Sequence, residues 1–272
     1  MNDGAAISLP LTAPAALDHA RRATLSAVEL QALLDLPPGE AIDSLLTVHE
    51  ILSVELPDRK LSVYEAGGGS TSFLPPEVLH RSHVTVVDID EDQLRNNSYA
   101  QKTILGDIQT YRFPPDSFDL IICYNVLEHV LYAEAALAGF FQSLKRGGLI
   151  LIGAPNPRSL SGVVTRYTPH WFHIWFYRRV VGKKNAGLPG EPPFPTYFHQ
   201  LVRPSLLEAF ARTIGLQVIY RKEYESPRYP EMRERMPLFA ALLDSFSVAL
   251  NLLLPRTKDV RRGDYHVILR KP

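Results

Sequence analysis

A short apolar run followed at once by three glycines is the feature of this sequence that most restricts its fold. Residues 61–71 read LSVYEAGGGST, in which the acid Glu65 precedes Gly67, Gly68 and Gly69. The apolar run fits a buried strand, and the glycines fit a tight loop, because residues without a Cβ allow positive φ angles and close approach of a ligand to the main chain. We therefore expect a strand that ends in a ligand-binding loop.

The overall composition indicates a globular protein with no strong field of its own. Of its 272 residues 46% are hydrophobic, and 29 basic residues balance 29 acidic ones. The balance argues against a nucleic-acid partner, and the length allows one large domain or one domain with insertions. A single cysteine, Cys123, excludes an intrachain disulfide framework. With no secretory signal apparent at the N-terminus, these features predict a cytoplasmic protein.

Two further acids follow predicted strands. Val84–Val87 is β-branched and apolar and is followed by Asp88. A carboxylate at this distance, about 20 residues past the glycines, can accept hydrogen bonds from both hydroxyls of a ribose. Thr103–Ile108 has the pattern of a short third strand, with Asp107 near its end. These acids at neighbouring strand ends predict a site for a nucleoside-containing ligand.

The motifs resemble those of the class I methyltransferases that use S-adenosylmethionine. Glu65, Gly67 and Gly69 match the family's motif I, an acid followed by Gly-x-Gly. Phe118–Tyr124 resembles its fourth-strand motif, and Asn125–Val130 (NVLEHV) is similar to the N-x-L-E-H signature of many small-molecule methyltransferases. The resemblance implies an α/β fold, a Rossmann-like doubly wound sheet of seven strands in the order 3-2-1-4-5-7-6 with the last strand antiparallel, and S-adenosyl-L-methionine as cofactor.

The resemblance also implies which residues contact the cofactor. They lie at the strand ends and in the loops that follow: Glu65, Ala66, Gly67, Gly68, Gly69, Asp88, Ile89, Asp107, Ile108 and Asn125. In the family the position of Asp107 faces the adenine amino group, and Glu65 suits the ammonium group of the cofactor because opposite charges attract. No metal site is predicted, since His170, His173 and His199 lack a trustworthy ligand spacing.

His129 is the candidate catalytic residue. Asn125 and Glu128 have the spacing of a helix-capping box, and so do Asp90 and Gln93, which gives both pairs a structural explanation. His129 lies near the strand ends and titrates near neutral pH, so it could accept a proton from a substrate hydroxyl. Packing on the cofactor, or donation to a backbone carbonyl, is an equally open role.

The rest of the chain divides by pattern into segments. The predicted segments are a flexible N-terminal arm (1–24), N-terminal helices (25–60), the cofactor-binding core (61–154), a substrate-cap insertion (155–200) and the C-terminal part (201–272) with an apolar helical insertion (236–254). The last insertion is amphipathic, because Asp244, Ser247 and Asn251 share one helical face, and it is too interrupted for a confident membrane span.

The predicted cap contains both tryptophans of the chain, Trp171 and Trp175, among cationic residues. Aromatic faces stack on sugars and on apolar rings, so these two residues, with His199, are candidate acceptor contacts. A peripheral membrane or partner contact through 166–179 and 236–254, or simple packing, stays open. We expect methyl transfer to a small-molecule acceptor, most simply O-methylation of a glycan or glycolipid unit or of an apolar metabolite.

Two other functions stay open at this stage. A NAD-dependent oxidoreductase would share the glycine loop, but its third glycine would fall at Ser72, and Glu65 would repel an anionic pyrophosphate. A cofactor-binding fold that has become a non-catalytic interaction module would keep the same motifs. The patterns do not fix the oligomeric state.

Overall fold

A mixed sheet of seven strands organises the part of the chain that the computed structural model describes, which is residues 39–179, 182–188, 193–197, 199–253 and 262–272. The strands are β1 (Leu61–Ala66), β2 (Ser82–Asp88), β3 (Lys102–Leu105), β4 (Phe118–Tyr124), β5 (Leu144–Pro155), β6 (Gln217–Tyr224) and β7 (Asp264–Arg270). The arm predicted at 1–24 and the first predicted helix, at 25–36, lie outside the described residues.

Helices and short turns connect these strands. The helices are α1 (Glu40–Glu55), α2 (Pro76–His80), α3 (Glu91–Arg95), α4 (Ala133–Ser143), α5 (Leu160–Tyr167), α6 (His170–Arg179), α7 (Pro204–Thr213), α8 (Arg228–Arg235) and α9 (Pro237–Leu253), with 3₁₀ turns at Leu127–His129 and Gln200–Val202. None of the described helices combines the length and the apolar content needed to cross a bilayer.

The strand order is β3-β2-β1-β4-β5-β7-β6, with β7 antiparallel to both of its neighbours and the other pairs parallel. Both the predicted order and the predicted antiparallel last strand are confirmed. The chain direction of the crossovers reverses between β1 and β4, and ligands of open α/β sheets bind at such a switch point, beyond the carboxyl ends of the strands. The fold therefore places the Gly67–Gly69 loop at the crevice.

Both faces of the sheet are covered, which explains the nearly continuous apolar runs of its central strands. On one face Val63 and Leu120 pack in a cluster with Leu45 of α1. On the other face Ile121 and the fully buried Cys123 pack in a cluster with Phe140 of α4. Cys123 is thus a core residue, as its place in an apolar strand predicts.

The segment after β4 differs from the predicted long helix. A 3₁₀ turn forms first, its N-cap is Val126 with no side-chain capping bond, and α4 begins only at Ala133. The predicted capping box of Asn125 and Glu128 is therefore wrong. Asn125 has a φ of 55°, outside the helical region, and its N–H donates to Gly153 O at 2.8 Å, which continues the ladder between β4 and β5. The other predicted box is confirmed in part, since Asp90 Oδ1 accepts from the N–H of Gln93 at 3.0 Å.

Strand β5 begins at Leu144, directly after the last residue of α4, Ser143. Gly147, with a φ of 76°, donates its N–H to Lys271 O at 2.7 Å, and Lys271 returns a bond to Gly148 O at 3.0 Å. The glycines therefore allow β5 to pair with the chain that follows β7.

Asp119 joins three elements at the amino ends of the central strands. Its carboxylate accepts from Arg59 at 2.7 Å, from the N–H of Ser62 at 2.8 Å and from Lys145 at 3.0 Å, while the side chain is 5% exposed. Although burial opposes ionisation, these hydrogen bonds hold the pKa of Asp119 below its usual value. The contribution to stability is therefore present above the unfolded pKa and is lost as the pH falls through the folded one.

Replacing Asp119 by Asn should lower the free energy of unfolding at pH 7 by roughly 1–3 kcal/mol, because a charge-assisted set of bonds becomes a neutral one. Urea unfolding measures this loss, which should shrink at acidic pH. Asp116→Asn is the matched control, since its 3.0 Å pair with Lys271 involves a carboxylate that is 60% exposed and should change stability little. Equal losses in the two variants would contradict the role of Asp119.

Candidate active site

The glycine loop after β1 adopts a conformation that other residues would not hold. Gly67 and Gly69 have φ angles of 68° and 51°. A Cβ at Gly67 would lie 2.5 Å from Cγ2 of Val126, and a Cβ at Gly68 would lie 2.8 Å from Cβ of Glu65. Gly67 and Gly68 are therefore required because a side chain at either position would collide with a neighbouring residue. This packing reason adds to the one predicted from the sequence, which is the close approach of a ligand to the main chain.

Glu65 lies buried beneath this loop. Ser72 Oγ donates to one of its carboxylate oxygens and Tyr99 Oη donates to the other at 2.9 Å. Tyr99 Oη also lies 3.2 Å from Gly68 O, so the same hydroxyl contacts the loop. Burial raises the pKa of Glu65 to about 7, although the bonds from Ser72 and Tyr99 oppose the rise. Glu65 thus braces the loop, and its contact with the cofactor ammonium stays a prediction.

Asp88 connects the glycine loop to the end of β2. Its two carboxylate oxygens accept from the N–H of Gly69 at 3.0 Å and from the N–H of Asp90 at 2.9 Å. These bonds fix the carboxylate and leave further lone pairs for the hydroxyls of a ribose. The next residue, Ile89, is 75% exposed. An exposed apolar side chain beside a fixed carboxylate suits an adenosine group.

Asp107 lies two residues past the last residue of β3, Leu105. Its carboxylate accepts from the N–H of Gln109 at 2.8 Å and lies 3.0 Å from Nε2 of the same residue. Gln109 Oε1 in turn accepts from the N–H of Tyr132 at 2.7 Å. Ile108 is buried in the core cluster beside β4. The acid is thus oriented at the sheet edge, as a contact with an adenine amino group would require.

A small cavity opens at the ends of β1 and β4. Its lining consists of Glu65, Ala66, Gly67, Gly68, Thr71, Phe73, Ile122 and Tyr124. The rings of Phe73 and Tyr124 stack there with centroids 3.8 Å apart. Neither aromatic residue was identified from the sequence. The available signal was a phenol at the last position of an otherwise apolar strand, which is a position at the sheet edge where ligands bind.

Tyr124 is held by a buried chain of polar side chains. His266 Nε2 lies 2.7 Å from Tyr124 Oη and 2.9 Å from Tyr224 Oη, and His266 Nδ1 lies 2.8 Å from Ser44 Oγ. Burial, with the nearby His49, lowers the pKa of His266 to about 3, so the ring is neutral at pH 7. Gly153 leaves room for the phenol ring, because a Cβ there would lie 2.6 Å from Tyr124 Cδ2.

His129 lies in the 3₁₀ turn after β4 with its ring held in one orientation. Its Nδ1 lies 2.6 Å from the carbonyl oxygen of Pro195, which can only accept, so Nδ1 carries the proton. Its Nε2 lies 3.7 Å from Glu128 Oε1, and the side chain is 28% exposed. Burial lowers the pKa of His129, although the bond to Pro195 opposes the shift. At neutral pH the Nε2 atom is therefore a proton acceptor.

The three predicted acceptor contacts lie on α6 and at the second 3₁₀ turn. Trp171 and Trp175 lie on α6 with exposed fractions of 67% and 49%. His199 caps the second 3₁₀ turn through the N–H of Leu201, and its Nε2 lies 3.4 Å from Glu134. Asn125 is exposed at the end of β4. The part of the predicted cap that does reach His129 is the segment 193–197.

That segment crosses directly over the 3₁₀ turn. Besides the bond from His129 to Pro195, the N–H of Tyr197 donates to Glu128 O at 2.9 Å. The ring of Phe194 meets the His129 ring edge to face, with centroids 6.0 Å apart. The aromatic residues predicted from the sequence lie earlier in the insertion, on α6, and their contact with an acceptor stays a prediction.

Comparison with known proteins agrees with this geometry. Residues 64–152, about a third of the chain, match the family described as methyltransferase domain. No curated protein sequence matches the chain. The matched residues run from β1 to β5 and thus include the glycine loop, both predicted acidic strand ends, the cavity and His129.

Solved structures share the fold at low sequence identity. An S-adenosylmethionine-dependent methyltransferase from Mesorhizobium loti has a TM-score of 0.51 and 15% identity, over 80% of this chain and 95% of that chain. A proposed sarcosine dimethylglycine methyltransferase from Galdieria sulphuraria has a TM-score of 0.50 and 12% identity, over 84% of each chain. At such identities the likeness concerns the fold alone.

The residues present suit S-adenosyl-L-methionine. The braced glycine loop and its cavity suit the methionine end, Asp88 suits the ribose, and Ile89 with Asp107 suits the adenine. Neither of the two alternative functions is supported by the family match. The chain therefore contains a methyltransferase domain, and its fold and strand-end residues suit S-adenosyl-L-methionine as the cofactor.

Proposed function

We propose that this methyltransferase transfers its methyl group to a hydroxyl oxygen of a small-molecule acceptor, with His129 as the proton acceptor. The bound cofactor supplies an activated methyl group, and the protein positions the acceptor in line with it and excludes water. The acceptor is proposed to be a glycan or glycolipid unit or an apolar metabolite. The rest of the proposal concerns what this chain's own residues do.

The observation that carries the proposal is the fixed tautomer of His129. Because Nδ1 donates to Pro195 O at 2.6 Å, the lone pair is on Nε2. A lowered pKa keeps that atom unprotonated at neutral pH. A neutral imidazole held in one orientation suits general-base catalysis, because it can accept the hydroxyl proton without first rotating or losing a proton of its own.

Exposed aromatic residues near His129 support a ring-shaped acceptor. Phe194 and Tyr197 of the crossing segment are 41% and 56% exposed, and Tyr132, three residues after His129, is 67% exposed. Aromatic faces stack on sugar rings and on apolar rings, so both acceptor classes remain within the proposal. Acceptor contacts by Trp171 and Trp175 would need a large acceptor or movement of α6, and they stay a prediction.

The predicted cofactor-binding core and the predicted cap insertion have different roles in this proposal. We assign cofactor binding to the core (61–154) and acceptor binding to the end of the cap insertion (155–200), where 193–197 crosses His129. If this assignment is right, a substitution within 193–197 should change the kinetics with the acceptor and leave the affinity for the cofactor unchanged.

Replacing Asp88 by Ala should weaken binding of S-adenosylmethionine by roughly 1–3 kcal/mol through loss of the ribose hydrogen bonds. Titration calorimetry measures the affinity. Asp90→Ala is the matched control, because this acid only caps α3 and its loss should cost about 1 kcal/mol of stability without changing affinity. Equal affinity losses would show that both acids act through the loop conformation.

Binding of the cofactor should strengthen as the pH rises from about 5.5 to 7, by at most roughly tenfold per pH unit, because the ionised form of Glu65 attracts the ammonium group. The free protein should change in the opposite sense. Without cofactor, folding raises the pKa of Glu65 from 4.5 to about 7, so the folded state binds the proton more tightly than the unfolded state does. The free energy of unfolding should therefore fall as the pH rises between these two values.

Glu65→Gln removes the titrating group while keeping its shape, and both pH trends should flatten. Calorimetry in buffers of different ionisation enthalpy gives a second measurement, since binding to the parent protein below pH 7 should release a proton. Retention of the pH dependence of binding in Glu65→Gln would contradict a contact between this carboxylate and the cofactor.

Replacing His129 by Asn should lower kcat by roughly 10²–10⁴-fold without changing cofactor affinity, because only the proton acceptor is lost. The assay uses labelled S-adenosylmethionine with fractionated cell extract, and then the purified labelled product. In the parent protein kcat should fall as the pH drops through the lowered pKa of His129, where Nε2 becomes protonated. His83→Asn, which removes an exposed histidine near the start of β2, should keep kcat. An unchanged kcat in His129→Asn would refute the proposed base.

A further inference from the structure

Helix α9 exposes large apolar side chains on its surface. Five large apolar side chains are exposed on it: Leu238 (83%), Phe239 (42%), Leu242 (69%), Phe246 (54%) and Val248 (50%). Two of its polar side chains face the protein instead, because Ser247 is fully buried and Asp244 lies 3.3 Å from Arg233 of α8. A surface helix of a free-standing domain buries its apolar face. The exposed face of α9 is thus built to be covered.

The cap insertion supplies a second unusual surface. Between residues 158 and 190 the sequence has six basic residues and no acidic one, although the 29 basic and 29 acidic residues of the whole chain balance. Arg166, Arg179, Lys183 and Lys184 are exposed. Tyr167, Trp171 and Trp175 are exposed among them. The surface is therefore cationic and aromatic at once.

The two surfaces are neighbours. A Cβ at Gly182, three residues past the end of α6, would lie 3.1 Å from Nη1 of Arg235. Arg235 is the last residue of α8, and α9 begins two residues later at Pro237. The cationic end of α6 therefore meets the start of the exposed apolar helix. We call the two together the α6–α9 surface.

We propose that the α6–α9 surface binds the face of an anionic lipid bilayer, with α9 lying in the plane of the interface. An apolar helix face can insert shallowly, Trp and Tyr side chains favour the interface, and Arg and Lys attract anionic headgroups. Binding of a second copy through the same surface is disfavoured, because a two-fold contact would oppose the cationic segments to each other. Charge complementarity thus selects the lipid.

The two tryptophans make the proposal directly measurable, because the chain contains no others. Vesicles of phosphatidylcholine, with or without about one third phosphatidylglycerol, are added to the full-length protein. We expect a blue shift of tryptophan emission and quenching by brominated lipid with the anionic vesicles only. Binding should weaken as the salt concentration rises from about 0.1 to 0.5 M. No emission change, or equal binding to neutral vesicles, would overturn the proposal.

Two pairs of matched variants separate the charge contribution from the apolar one. Arg179→Gln should weaken binding to anionic vesicles roughly fivefold. Arg146→Gln should not weaken it, because this exposed arginine lies near the start of β5, whereas the cap insertion follows the end of that strand. Leu242→Ser should weaken binding roughly tenfold, whereas Leu105→Ser, also exposed but on the edge strand β3, should not. Both residues of the α6–α9 surface are exposed, so folding should be preserved.

A protein occupant of the surface would give a different result. Sedimentation of the purified protein without lipid would then show a dimer that Leu242→Ser dissociates, and vesicles would not shift the tryptophan emission. Either result contradicts the lipid proposal. A monomer that binds anionic vesicles and loses binding in Arg179→Gln and Leu242→Ser supports it.

Discussion

The active site depends on one buried carboxylate. Glu65 accepts hydrogen bonds from Ser72 on one oxygen and from Tyr99 on the other. The glycines have no side chains with which to hold the shape of the loop, so these bonds help to define it. A buried, partly neutralised acid is costly unless it is hydrogen-bonded. Here its bonds place the loop where a cofactor must bind.

The parallel pairing of β1 with β2 and β4 brings the other predicted cofactor contacts to the same edge of the sheet as the glycine loop. The carboxyl ends of β1, β2 and β4 lie at one edge of the sheet, so Glu65, Asp88 and Asn125 come together although many residues separate them in sequence. The amide of Gly69 donates to Asp88 and thereby connects the loop with the neighbouring strand end. On the other side of the switch point, His129 is held by a segment that returns from the insertion. The glycine loop, Asp88 and the turn that carries His129 thus all follow strands at one edge of the sheet.

The sequence predicted the sheet well and the connections less well. Strands buried on both faces give long apolar runs with acids at their ends, so the strands could be predicted from the sequence. The strand order and the cofactor followed from the resemblance of the motifs to those of class I methyltransferases. The turn at Leu127–His129 could not be predicted from the sequence. The N–H of Asn125 donates to Gly153, 28 residues later in the chain, and rules for helix capping consider only neighbouring residues. Phe73, Tyr124 and Pro195 join the site only through tertiary contacts. The exposed face of α9 was likewise undetermined, since a periodic pattern shows two faces without telling which one is inward.

The position of His266 ties the pocket to the last strand of the chain. Tyr124 borders the cofactor cavity, yet the ring that holds its hydroxyl belongs to β7, which is 142 residues away in sequence. Gly153, which makes room for that phenol, lies directly opposite His266 in the antiparallel pair of β5 and β7. During synthesis, residues up to His266 must therefore leave the ribosome before this wall of the cavity can be completed. Until β7 pairs with β5, the Tyr124 hydroxyl lacks the ring that holds it, although every motif of the cofactor-binding core has already been synthesised.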